Sequence, residues 1–119
     1  MSQIMIHNTQ GLDDAERASL AFVIGNTALA GGQEAILLFT LDGVRVPVQG
    51  SAIGLQADGF PPLSELMQNF VTNGGQIWVC GACAKPRNIG QQELLDGAQI
   101  IGAAAAVEAM VNGAKTISF

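Results

Sequence analysis

The hydrophobic pattern opens with a short β-type run, Gln3–His7 ("QIMIH"). The stretch "LDDAERASLAFVIGNTALAGG" then predicts a helix. Asp13 followed by Glu16 has the capping-box spacing, and Gly31 with Gly32 supplies the stop. Phe22, Val23 and Ile24 carry apolar character nearly all round this helix, which predicts burial. Ala35–Thr40 is continuously apolar, as a strand covered on both faces should be. "VRVPVQG" alternates at Val44, Val46 and Val48, and Pro47 confines it to an edge strand or extended loop. In "PPLSELMQNFVTNGG" the residues Leu63, Leu66, Met67, Phe70 and Val71 fall on one helical face. Pro62 suits the first turn and Gly74 the C-terminal cap. "QIWVC" (Gln76–Cys80) predicts a third central strand, "QQELLDG" at most a short helix, and "IIGAAAAVEAMVNG" a second nearly all-apolar helix. "KTISF" reads as a last strand. The order β-α-β-(β)-α-β-α-β predicts an α/β, flavodoxin-like three-layer fold. Its sheet should be mostly parallel, with about five strands and helices on both faces. No repeat, linker or low-complexity segment divides the chain, so residues 1–119 are expected to form a single domain.

Composition sharpens this picture. Hydrophobic residues make up 49% of the 119 and charged residues only 13%, too little polar surface to cover a monomer. The excess predicts helices on both faces of a buried sheet, a subunit interface, or both. Five Lys plus Arg against a net charge of -5 cannot form the basic patch that nucleic-acid binding needs. "MSQIMIHNTQ" has no cationic start, and neither "ASLAFVIG" nor "IIGAAAAVEAMV" reaches the roughly 18 to 20 apolar residues of a membrane span. The expectation is a cytoplasmic protein with no membrane partner. In that reducing compartment two cysteines point to redox or metal chemistry rather than a structural disulfide.

Open α/β sheets carry their sites outside the carboxyl ends of the strands. That rule selects "HNTQG", "TLDGV" and "CGACAKPRN". Cys80 and Cys83 form a C-x-x-C at the end of a hydrophobic run. In this spacing the second thiol can resolve a persulfide, sulfenate or mixed disulfide on the first. Lys85 and Arg87 are the cations nearest in sequence and would favour a thiolate, and Gly81 would let the backbone turn beneath the first sulfur. The plainer alternative is two buried thiols acting as small hydrophobes. C-x-x-C is also half of a zinc site, which His7 and Asp42 or a second subunit would have to complete. The paired motif that zinc usually takes is absent, and no metal is expected. His7 could act as a base toward a cysteine or simply end its strand. Asp42 could orient a ligand, but "LDG" is first a turn signal. With no G-x-G-x-x-G, no Walker pattern, no Tyr and one Trp, no nucleotide or flavin cofactor is expected.

With the cysteine loop placed, nearly the whole chain resembles the DsrE/DsrF-like family of small sulfur-relay proteins. The resemblance rests on "ERASLAFVIGNTALAGGQEAILLFTLDGV", "WVCGACAKPRNI" and "ELLDGAQIIGAAAAVEAMVNGAKTISF". It implies a flavodoxin-like parallel sheet, assembly into homotrimers or homohexamers, and sulfur carried as a cysteine persulfide between donor and acceptor proteins. Cys80 matches the persulfide-bearing position, Cys83 the second cysteine of many stand-alone members, and Arg87 the basic residue. Asn88 stands where glycine is common, a change its tolerance of positive φ allows. The function expected is that of a sulfur carrier or sulfurtransferase. An oligomeric small-ligand-binding protein and a thiol oxidoreductase are the alternatives.

Overall fold

The computed structural model describes residues 2–119. Strands β1 (Gln3–Asn8), β2 (Glu34–Phe39), β3 (Gln76–Cys80), β4 (Ala98–Ile101) and β5 (Lys115–Ser118) form one sheet in the order β4-β3-β2-β1-β5. Every neighbouring pair is parallel. Helices α1 (Ala15–Ala30), α2 (Leu63–Thr72), the single turn α3 (Gly81–Ala84) and α4 (Ala103–Val111) lie in the connections. The three-layer α/β architecture expected from the sequence is present, and its sheet is parallel throughout.

Strand order explains how the long helices divide. From β1 to β4 the chain steps steadily across the sheet, so right-handed crossovers deliver α1 and α2 to one face. Only the return from β4 to β5 runs backward, and it carries α4 to the other face. The cores are correspondingly unequal. On the first face Ile6, Leu37, Phe39, Ile77 and Val79 pack against Phe22 of α1 and Leu63, Met67 and Phe70 of α2. The Phe22 ring lies 5.9 Å from Phe39 and 5.6 Å, edge-on, from Phe70. On the second face Met5, Ile36, Leu38 and Ile101 meet small side chains of α4, Ala106 and Ala109 with Ala105 beside them, and Trp78 packs at the margin.

Three sequence expectations change. "VRVPVQG" is not a strand: Leu41–Arg45 is a 3₁₀ helix, and Val48 makes one antiparallel bridge, to Leu94. Val44 and Val46 are buried as their alternation suggested, but both edges of β2 are already taken by β1 and β3. The fifth strand is instead β4, whose Ile100 and Ile101 read by pattern as part of the following helix. Short apolar runs do not distinguish the two by pattern, and Gly102, at φ -92 and ψ 168, keeps the chain extended before α4 begins. The cap of α1 is Asp14 rather than Asp13, with its carboxylate accepting from the Arg17 N–H at 3.1 Å. Among the described residues no helix is long and apolar enough to cross a membrane.

Candidate functional site

Cys80 closes β3 in extended conformation, and the chain turns at once into α3. Gly81 does not use a left-handed conformation here. What it provides is room, because a Cβ would sit 3.1 Å from Ile100 Cγ2 and 3.4 Å from the Ile101 carbonyl oxygen. Cys83 follows one helical turn after Cys80. Both thiols are free, half-buried and in contact with the larger core. A 3₁₀ turn, Lys85–Arg87, continues the helix and ends at Asn88 in the left-handed region, φ 59 and ψ 36.

The cations after the cysteines differ in their surroundings. Lys85 is exposed and makes no ion pair among the described residues. Arg87 is engaged twice: Nη1 donates to the Cys83 carbonyl at 3.1 Å, and Nε donates to Asp42 Oδ1 at 3.2 Å. Arg45 Nε donates to the same Asp42 oxygen at 3.0 Å. These hydrogen bonds, Arg45's first and Arg87's second, hold the Asp42 carboxyl below its ordinary range. The Asp42 carboxylate also fills the space over Gly11, where a Cβ would come within 2.6 Å of Oδ2. Gly43 lies against β1 in the same way, since a Cβ there would be 2.5 Å from the Asn8 carbonyl oxygen. The loops after β1, β2 and β3 therefore interlock around Asp42.

His7 lies on the opposite face of β1 from Ile6, the face that α4 covers. Its Nε2 is 2.6 Å from Thr40 Oγ1 and its Nδ1 is 3.3 Å from Ser118 Oγ. Burial lowers its pKa from the ordinary value, favouring the neutral ring. The strand order reverses between β1 and β5, where a crevice would be expected. The chain itself closes that space. The Phe119 N–H donates to the His7 carbonyl at 2.7 Å, and Thr9 donates through N–H and Oγ1 to the Phe119 carbonyl at 3.0 and 2.9 Å.

A model of the DsrE/DsrF-like family matches residues 2–119. The chain belongs to the DsrE/DsrF-like family. Its curated relatives include MJ0760 of Methanocaldococcus jannaschii, an uncharacterized protein 28% identical over 103 residues, which are 87% of this chain and 38% of the relative. The chain thus matches well under half the length of that relative. A second uncharacterized protein of the same organism, MJ0989, is 31% identical over 85 residues, 71% of each chain. Among solved structures, the ychN protein from E. coli superposes with a TM-score of 0.83 at 15% identity, covering 100% of both chains. MTH1491 from Methanobacterium thermoautotrophicum, a protein of unknown function, gives 0.80 at 15% identity over 100% of both chains. At such identity these two show the fold.

In this DsrE/DsrF-like chain, the sequence-selected residues fall into two groups at the carboxyl rim. Asp42, Arg87 and Cys83 are joined directly by hydrogen bonds, whereas His7 lies in a separate row with two hydroxyls. Among the described residues His, Cys, Asp and Glu form no group of three or more able to hold a metal ion, so Cys80, Cys83, His7 and Asp42 are not gathered within one chain. Sequence reasoning missed Arg45, Thr40 and Ser118. For Thr40 the available signal was a polar residue terminating an apolar run, "AILLF".

Proposed function

We propose that this chain is a sulfur carrier that holds sulfane sulfur as a persulfide on Cys80, with Cys83 as the resolving thiol. The observation that carries the reading is a free, half-buried Cys80 at the carboxyl rim of a parallel sheet, with a second free thiol one helical turn on. Membership of the DsrE/DsrF-like family supports the reading, since the resemblance of "WVCGACAKPRNI" implies that Cys80 stands at the sulfur-bearing position of its relay members. Cys80 thiolate attacks the outer sulfur of a donor persulfide. An S–S bond forms at Cys80 and the donor leaves as its thiolate. An acceptor thiolate then takes that sulfur in the reverse sense. Alternatively, Cys83 attacks the Cys80 sulfur, expelling hydrosulfide and leaving a Cys80–Cys83 disulfide that an external thiol reduces. Donor and acceptor are proteins, and the working compartment is the cytoplasm.

The assembly in this reading is a homotrimer or homohexamer. Val107, Met110 and Val111 of α4 are 53%, 46% and 79% exposed, an apolar face on the thinner side of the sheet. One observation favours the binding-protein alternative. At the rim opposite the cysteines, a groove of about 660 Å³ between sheet and α4 is lined by Trp78, Glu34, Glu108 and Asn112. Intact mass after incubation with a low-molecular-weight persulfide separates the readings. A carrier gains one sulfur that Cys83→Ser retains, wild type shows either that gain or the Cys80–Cys83 disulfide, and Cys80→Ser shows neither. No adduct on reduced Cys83→Ser protein would rule the carrier out.

A further inference from the structure

The sheet register brings His7, Thr40 and Cys80 into sequence along the carboxyl rim. We infer that Thr40 couples His7 to Cys80, so that the imidazole takes the thiol proton through the threonine hydroxyl. The inference rests on Cys80 being the reacting thiol.

Side chains of paired residues in a parallel sheet lie on the same face. Leu38 pairs with Trp78, and both belong to the second face, beneath α4. Thr40 is two residues beyond Leu38 and Cys80 two beyond Trp78, so both return to that face. Cys80 also pairs with Ile101, a member of the same small cluster. Its side chain also packs against the larger core at the start of the α3 turn, as Cys83 does. Thr40 is still extended, φ -130 and ψ 168, and its N–H continues the ladder to the Asn8 carbonyl at 3.2 Å. Thr40 and Cys80 are therefore neighbours on adjacent strands, with backbones about 4.8 Å apart. Among the described residues the Thr40 hydroxyl is hydrogen-bonded to His7 and not to the Cys80 sulfur, so the relay runs through one bridging water.

The His7 hydrogen bonds suit the direction of transfer. With Nδ1–H donating to Ser118 Oγ, Nε2 is left as the acceptor for the Thr40 hydroxyl at 2.6 Å. The Cys80 S–H proton passes to the bridging water, a water proton passes to Thr40 Oγ, and the Thr40 proton passes to His7 Nε2. The products are a thiolate that accepts from the water and an imidazolium that donates to Thr40 and Ser118. Burial supports the neutral ring needed beforehand. From β2 and β5, His7 is met by uncharged hydroxyls. From β3 the titratable group is Cys80 itself. The one charged residue of α4, Glu108, lies near Gln3 at the opposite rim.

The test is the rate of iodoacetamide alkylation of the reduced protein between pH 5 and 9, with the label mapped by peptide mass. Wild type, His7→Gln, Thr40→Val and Thr40→Ser are compared, each checked for native circular dichroism. Wild-type Cys80 should show a reactive limb on the acid side of its main ionisation. Thr40→Val and His7→Gln should each remove that limb and lower the rate at pH 6.5 about tenfold, equivalent to one pKa unit. Thr40→Ser should retain it. Cys80 labelled with one profile in all four proteins overturns the relay while leaving the carrier reading intact. Label confined to Cys83, or absent, overturns both.

Discussion

Arg87 bridges Asp42 and the Cys83 carbonyl, donating to the carboxylate at 3.2 Å and to the carbonyl at 3.1 Å. The sequence suggested a cation facing a thiolate. The structure gives the guanidinium a carboxylate partner and makes it a strut between the loop after β2 and the cysteine turn. A guanidinium is suited to this because its planar fork donates in two directions at once.

Removing either end of the strut should loosen the turn. In Arg87→Ala and Asp42→Asn, the amides of Asn88 and Ile89, bonded to the Lys85 and Ala84 carbonyls at 3.1 Å in each case, should exchange with deuterium faster than in wild type. Cys80 alkylation at pH 7 should be unchanged or slower in both. Faster alkylation in Asp42→Asn alone would show instead that a freed guanidinium acts on the thiol as a charge.

The pH dependence of stability should carry a His7 component with a definite sign. Burial lowers the folded-state pKa of His7 below its ordinary 6.5. Between the two values the unfolded chain binds a proton that the folded chain does not, so stability falls as pH drops from 6.5 through the folded value. His7→Gln should flatten this part of a urea-midpoint profile measured from pH 7.5 to 5. Asp14 and Asp42, both lowered, contribute a separate loss as pH falls from 3.8 through their folded values, which this variant should leave in place.

Gly43→Ala should destabilise the protein although no functional group is altered. The new Cβ would begin 2.5 Å from the Asn8 carbonyl oxygen, a backbone atom that cannot swing aside. The loop after β2 must shift, at about 1–3 kcal/mol if the clash behaves like other overpacked sites. Thermal unfolding should show a fall in Tm of several degrees. An unchanged Tm would mean that β1 and the loop separate freely.

If α4 forms the subunit contact, charge on its exposed face should dissociate the assembly. Val107→Glu combined with Val111→Glu should give light-scattering mass near 12.3 kDa at micromolar concentration, while wild type gives a multiple of it. A wild-type monomer would remove the oligomer from the proposal, and an oligomeric double variant would move the contact elsewhere.

The sequence by itself determined what depends on local pattern. The apolar runs of β2 and β3, the helical spacing of Leu63, Leu66, Met67 and Phe70, and the turn glycines identify their elements because each signal is complete within a few residues. The same local pattern places Cys80 at a strand end. Tertiary structure decided what depends on partners. Val44–Val48 alternates like a strand but finds both edges of the preceding β2 occupied, while Ile100 and Ile101 look helical yet pair with β3. Only strand order put three successive crossovers in one direction across the sheet and α4 alone on the thinner face. Only register put Thr40 within reach of His7, joining residues 33 apart through a hydroxyl that the local pattern marks merely as the polar end of an apolar run. Arg87 was legible as a cation near a thiol, but its direction was set by Asp42, 45 residues away. A side chain's type fixes which bonds it can make, and the packing of distant segments fixes which of them it does make.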